Sequence, residues 1–221
     1  MAVPRPAEHD GLIRIFTAAQ RIGALGSQPV KDMITHACAF ADALPQSVRT
    51  CVDLGSGAGV PGLVIAIARP EIQLTLVDRR SKRTDALQRA VKALGIEARV
   101  SVVCADVESF ARTPNTGHSF DAACARGFGP PEFTLKWSVE LVKTGGVIVV
   151  SEPPLGSPDR WQGIDLSALG VSEPVRVGPV AMFHVEQYRP TVHPNPTMFH
   201  VEQFGMPSPR LPHMGGILGS S

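Results

Sequence analysis

From Arg49 to Val150 the chain alternates short apolar runs with longer stretches whose apolar residues recur every three or four positions. The runs over 49–54, 72–78, 98–104, 120–125 and 147–150 have strand length, and the segments 61–69, 81–94 and 131–142 carry helical spacing. That alternation predicts an α/β domain with a parallel sheet, and the unbroken apolar run 147–150 fits a strand covered on both faces. Upstream, Leu12, Ile15, Phe16, Ala19 and Ile22 share one helical face. Val30, Met33, Ile34, Ala37, Cys38, Ala41 and Leu44 make a second stripe, which Pro29 starts and Pro45 stops. These two stripes predict an N-terminal helical cap over 1–46. After Pro153-Pro154 the pattern weakens, but 175–180 and 182–188 have the character of two final antiparallel strands, closing a domain over 47–189.

The stretch 190–221 differs in kind, with six prolines, four glycines and no apolar period. It reads as a disordered Pro/Gly-rich tail. It holds an internal repeat: Met182-Phe-His-Val-Glu-Gln187 recurs as Met198-Phe-His-Val-Glu-Gln203. The tetrapeptide Phe-His-Val-Glu can be encoded by the self-complementary TTC CAC GTG GAA, so one reading of the repeat lies in the DNA and not in folding. A short gene duplication is the other.

The most informative segment is Cys51-Val-Asp53-Leu-Gly55-Ser-Gly57-Ala-Gly59-Val60-Pro61-Gly62. An apolar strand meets a glycine cluster and an apolar helical run follows, so backbone can approach a ligand where no Cβ intervenes. A helix N-terminus then offers free amides. Counted from Gly57 the segment satisfies G-x-G-x-x-G, the dinucleotide fingerprint. Its placement argues otherwise, because the strand ends at Leu54 and Gly55 precedes the fingerprint. Asp53 would repel a pyrophosphate but can receive a cationic amino group.

In an open α/β sheet the ligand lies beyond the carboxyl ends of the strands. Asp78 ends the second strand, 19 residues after Gly59, the distance at which a carboxylate reaches a ribose diol. Asp106-Val107-Glu108 follows the third strand and would flank an adenine. Arg126 follows the fourth, where a guanidinium can contact a phosphate or a purine edge. An ion pair with a strand-end acid is its ordinary alternative. No Asn/Asp-Pro-Pro-aromatic motif occurs, which gives no support to chemistry on an exocyclic amine. Cys124 lies within an apolar strand, where a cysteine packs as a small core residue.

Hydrophobic residues at 43%, charged residues at 19% and a net charge of +1 suit a globular domain with no global nucleic-acid signal. Any basic patch must be local. Arg79, Arg80, Lys82, Arg83, Arg89, Lys92 and Arg99 crowd the helix over 81–94 and its flanks, and suit an RNA backbone or a solvated face. Cys38, Cys51, Cys104 and Cys124 lack ligand spacing, so no metal is expected. Neither a signal peptide nor an 18-residue apolar run is present, and a cytoplasmic protein without a membrane partner is expected.

The D-x-G-x-G-x-G segment resembles motif I of S-adenosylmethionine-dependent methyltransferases. More specifically, Val52-Asp-Leu-Gly-Ser-Gly-Ala-Gly-Val-Pro-Gly62, Ala68-Arg-Pro70, Leu76-Val-Asp78 with Lys82-Arg83, Asp106-Val-Glu108, Ala125-Arg126-Gly-Phe128 and Lys143-Thr-Gly-Gly146 are similar to the ribosomal RNA small subunit methyltransferase G (glucose-inhibited division protein B) family. The resemblance spans about 20–152. It implies a class I, Rossmann-like fold with a seven-stranded, mostly parallel sheet, and methyl transfer to N7 of a guanine in 16S rRNA. It implies S-adenosyl-L-methionine held by Asp53, Gly55, Val60, Asp78, Val107, Glu108 and Arg126, with Arg126 also serving catalysis. The implied partner is 16S rRNA or the small ribosomal subunit, approached by a monomer. Guanine N7 carries a lone pair and no proton, so the lack of an acid/base pair agrees with that chemistry. Two departures stand out. Glu152 follows the fifth strand where the family carries a lysine, so an anion there would repel RNA. The family's N-terminal Trp-Asn and Asn-Leu-Thr pieces are missing, though His36 matches its histidine. A methyltransferase acting on another substrate, a dinucleotide-binding oxidoreductase and a non-catalytic assembly factor stay open on the residues alone.

Overall fold

A computed structural model describes residues 6–186. The tail predicted over 190–221 and the second copy of the repeat lie outside the described residues.

A short 3-10 turn at Pro6–Glu8 leads into α1 (Asp10–Arg21) and α2 (Val30–Ala43). The alternating part follows as β1 (Thr50–Leu54), α3 (Gly62–Ala68), β2 (Gln73–Asp78), α4 (Ser81–Leu94), β3 (Val100–Cys104), α5 (Val107–Ala111), β4 (Phe120–Ala125), α6 (Pro131–Leu141) and β5 (Val142–Ser151). It closes with α7 (Leu166–Leu169), β6 (Val175–Val177) and β7 (Val180–His184). The sheet has seven strands in the order β3-β2-β1-β4-β5-β7-β6. β1 to β5 run parallel, and β7 pairs antiparallel with both β5 and β6. Chain direction across the sheet reverses between β1 and β4, and that crevice is where an open α/β sheet takes its ligand.

Both faces are covered, which is why the strands read as continuous apolar runs. Leu12, Phe16, Ile34 and Phe40 pack with Leu63, Ile65, Leu74 and Leu87 on one face. Phe110, Leu135, Trp137, Leu166 and Phe183 pack with Val52, Ala123 and Ile148 on the other. The predicted cap therefore shares a core with the sheet. Arg69, from the Ala-Arg-Pro piece, explains how α2 is seated. Its guanidinium donates to the carbonyls of Ala41 at 3.1 Å, Leu44 at 2.8 Å and Pro45 at 3.1 Å, and its Nε donates to Glu71 at 2.6 Å. The last carbonyls of a helix lack partners within it, and a planar fork of donors matches them.

Three sequence expectations change. The Lys143-Thr-Gly-Gly146 piece predicted as a connection is strand, because β5 begins directly at Val142 with a register shift opposite Phe120 and Ala122. Gly146 has no room for a side chain there, since a Cβ would stand 2.6 Å from the Asp121 carbonyl. α5, absent from the predicted helices, exists because Asp106 caps it, accepting from Ser109 N at 2.8 Å. The final strands are shorter than predicted. The first copy of the repeat is part of the fold: Phe183 is fully buried in β7, edge-on to Trp161 with ring centroids 4.7 Å apart. The physical origin is pairing. The segment becomes strand because β5 and β6 each offer it a ladder.

Candidate functional site

The glycine segment turns back on itself between β1 and α3. Gly55 has φ of +68°, and a Cβ there would meet the Phe128 ring at 2.6 Å. Gly62 is buried, and a Cβ would run into the Leu76 side chain and stand 2.6 Å from Asp53 Oδ2. Glycine is thus required here by close approach, as expected of a backbone cradle. The Gly62 amide, which opens α3, donates to Asp53 Oδ2 at 3.1 Å. The dinucleotide reading needs a pyrophosphate at that position. A carboxylate already occupies it, so the helix terminus offers no anion site.

Asp53 is fully buried and its Oδ1 has no hydrogen-bond partner. Burial pushes its carboxyl up to about 7, against the pull of the Ser56 hydroxyl, the Gly62 amide and the Arg126 charge. An uncompensated buried acceptor costs free energy until a donor or a cation reaches it. This oxygen, with the glycine cradle beside it, suits the cationic end of S-adenosyl-L-methionine.

A cavity of about 790 Å³ opens beyond the ends of β1, β2 and β3. Gly55, Asp78, Val107, Glu108, Phe128 and Phe133 are in its wall. Asp78 is buried, and its carboxylate accepts from Gly57 N and Arg80 N at 2.9 Å each, with Arg83 Nη1 at 3.5 Å. Val107 is buried in the first turn of α5, and Glu108 beside it is exposed. The Asp106 carboxylate, which opens the segment expected to flank an adenine, is committed to the Ser109 amide and hydroxyl, which hold it below the usual range. The Phe128 and Phe133 rings meet at a tilt with centroids 5.7 Å apart, and Trp137 continues the aromatic row at 6.4 Å. The apolar wall, strand-end acid and α5 turn together fit an adenosine. Val60 is buried beneath the loop and belongs to the core, outside the cavity wall.

Arg126 does not line that cavity. It opens onto a second one of about 520 Å³, lined by Gln28, Pro29, Asp32, His36, Arg126 and Ser151. The ion pairs of the described residues do not include Arg126, so the strand-end ion-pair alternative finds no support. Its guanidinium is pulled down by burial and held up by the field of Asp53. His36 Nδ1 is buried without a partner, and burial, then Arg126, lowers the ring's proton affinity. Sequence reasoning noted His36 only through the family and missed Asp32 and Ser151. Their signal is tertiary, since α2 must be seated on the sheet before they meet Arg126.

The Glu152 expectation is corrected. Its carboxylate accepts from Trp161 Nε1 at 2.8 Å and lies 3.8 Å from Arg176, with only 9% of the side chain exposed. It anchors the segment after β5 and does not face a ligand as a free anion. The basic cluster also divides. Arg79, Arg80, Lys82, Arg89 and Lys92 are exposed along or beside α4, whereas Arg99 reaches inward to the Ala66 carbonyl at 2.6 Å. Of the three cysteines in apolar strand runs, which read as small core residues, Cys51 and Cys124 are buried with sulfurs 3.8 Å apart, whereas Cys104 at the end of β3 is exposed. Among the described residues no acidic, histidine or cysteine cluster could hold a metal, and no helix is long and apolar enough to cross a membrane.

The fold and the β1–β4 crevice are those of the class I S-adenosyl-L-methionine-dependent methyltransferases. Solved structures share the architecture. A Corynebacterium glutamicum protein superposes with a TM-score of 0.56 at 15% identity, covering 82% of this chain and 93% of that one. Rv0187 from MTB, in cofactor-bound form, gives 0.57 at 18% identity over 82% and 92%. The chain belongs to the GidB family, rRNA small subunit methyltransferase G, whose model matches residues 15–152. A Synechococcus sp. protein called ribosomal RNA small subunit methyltransferase G is 37% identical over 117 residues, 53% of this chain and 44% of the relative. A Salinispora tropica protein of the same name is 37% identical over 121 residues, 52% and 48%. The chain spans about half the length of the curated relatives it matches.

Proposed function

We propose that this protein transfers a methyl group from S-adenosyl-L-methionine to N7 of a guanine in 16S rRNA. The carrying observation is the pair of cavities, one suited to an adenosine with Gly55 in its wall, and one opened by Arg126, which feels the charge of Asp53. Asp78 would accept from the ribose hydroxyls, Val107 would cover one face of the adenine, and Glu108 would sit at its polar edge. Gly55 would let the ligand approach the backbone, with Val60 supporting the loop from the core. Asp53 would take the amino group. When bound, the cofactor supplies a sulfonium methyl that a purine nitrogen lone pair can take directly.

No proton leaves guanine N7, so the chain needs no general base. Its residues have only to bring N7 into line and exclude competing nucleophiles, and orientation of this kind is worth roughly 7–11 kcal/mol in favourable cases. Arg126 would orient the base from the second cavity. The exposed cations along α4 would hold the RNA backbone, an attraction that weakens with salt. The protein would act as a monomer on 16S rRNA or the small subunit, in the cytoplasm. Aniline cleavage mapping of N7-methylguanine in 16S rRNA from a gene-deletion strain and its complement tests the proposal. A site present only in the complement is expected. Identical cleavage in both strains would refute it.

A further inference from the structure

The second cavity brings together three polar groups with no internal partner to satisfy. His36 Nδ1 is buried without a hydrogen bond, and neither Arg126 nor Asp32 takes part in an ion pair among the described residues. Arg126 lies just past the end of β4, beside the Asp53 loop, while Asp32 stands in the first turn of α2. Asp32 itself is exposed, while Met33 and Ile34 next to it are buried, so the core seats the turn that carries it.

A carboxylate in this wall bears on what the cavity can take. It repels a phosphate, so the cavity suits a base and not the backbone of an RNA. It only accepts hydrogen bonds, whereas Arg126 only donates them. A guanine has the complementary pair of edges: O6 and N7 accept on one side, and N1–H and the N2 amine donate on the next. Adenine fails at both positions. Its N6 amine would face the donors of Arg126, and its N1 lone pair would face the carboxylate.

We propose that Asp32 is the residue that specifies guanine, accepting from N1–H and the N2 amine while Arg126 donates to O6. This rests on the N7-methylguanine reading above. The placement leaves N7 next to O6, on the side of the Asp53 loop. A first-turn carboxylate also interacts favourably with its own helix. That role would give Asp32 an effect on stability and none on the choice of base.

The test uses a small-subunit RNA carrying either guanine or inosine, which lacks the N2 amine, at the methylated position. Wild type, Asp32→Asn and Asp32→Ala are compared by kcat/KM for methyl transfer and by S-adenosylhomocysteine binding. Losing a hydrogen bond to a charged acceptor corresponds to roughly tenfold or more. Wild type should lose about that much on inosine RNA. Asp32→Ala should lose at least as much on guanine RNA, and no more on inosine RNA, with S-adenosylhomocysteine binding within twofold of wild type. The proposal fails if Asp32→Ala stays within twofold of wild type on guanine RNA. It also fails if inosine costs the variant as much as it costs wild type. If wild type methylates no guanine N7 in the RNA, the underlying reading fails and takes the proposal with it.

Discussion

Asp53 Oδ2 accepts the Gly62 amide at 3.1 Å, tying the end of β1 to the start of α3 across the glycine loop. The bond closes the loop and leaves Oδ1 of the same carboxyl without a partner. One residue therefore both shapes the loop and holds a buried acceptor with no partner.

That arrangement makes stability depend on pH. Burial raises the Asp53 carboxyl to about 7, against roughly 3.9 for an unfolded chain. Folding thus favours the protonated form, and this contribution is complete below pH 4 and lost as pH rises through about 7. Asp53→Asn keeps a neutral group in place. The variant should match wild type near pH 4 and melt at a higher temperature at pH 8, while binding S-adenosylhomocysteine more weakly. A melting difference that stays flat from pH 4 to 8 would contradict the assignment.

Asp121 works in the opposite direction. Although burial raises it, donors from Lys143, Arg49 and Thr50 hold the carboxyl at about 2. Such a group stabilises the fold above its unfolded value near 3.9, and the contribution disappears as pH falls through about 2. Asp121→Asn should cost about 1–2 kcal/mol at pH 7, where β1, β4 and β5 lose a shared acceptor. Denaturant titrations at pH 7 and pH 2.5 should show the cost shrinking at the lower value.

Gly55→Val should abolish S-adenosylhomocysteine binding, since the positive φ disfavours a branched residue and the Cβ meets Phe128 at 2.6 Å. Circular dichroism of the purified variant reports whether the sheet survives. Binding within twofold of wild type would remove the glycine loop from the cofactor site.

Arg126→Ala should lower single-turnover methyl transfer by about a hundredfold, or nearly 3 kcal/mol. Its melting temperature should shift little, because no ion pair among the described residues is broken. Unchanged transfer would make Arg126 a packing residue.

Reversing Arg89 and Lys92 to glutamate should weaken RNA binding and flatten its dependence on salt. Both side chains are exposed on α4, away from the buried stripe of Leu87, Ala90 and Val91. Two fewer cations against an RNA backbone should reduce the log–log salt slope by about 2. An unchanged slope would make α4 an ordinary solvated face.

What the chain carries locally could be read from it directly. Strand and helix periods follow from which residues are apolar, and Asp53, Asp78, Val107 and Arg126 were placed by counting from strand ends. The glycines announced the cradle because their requirement is local, a positive φ or a missing Cβ. Tertiary structure decided which of these residues share a space. It separated Arg126 from the cavity of Asp78 and Val107: Gly127 and Phe128 line that cavity, while Arg126 shares the other with α2. It brought Asp32 and His36 to Arg126, although some 90 residues lie between them in the chain. It also turned Glu152 from an expected repulsive anion into the partner of Trp161 and Arg176. A carboxylate's role depends on the donors within about 3 Å of it. Residue order specifies that neighbourhood only through the packed fold.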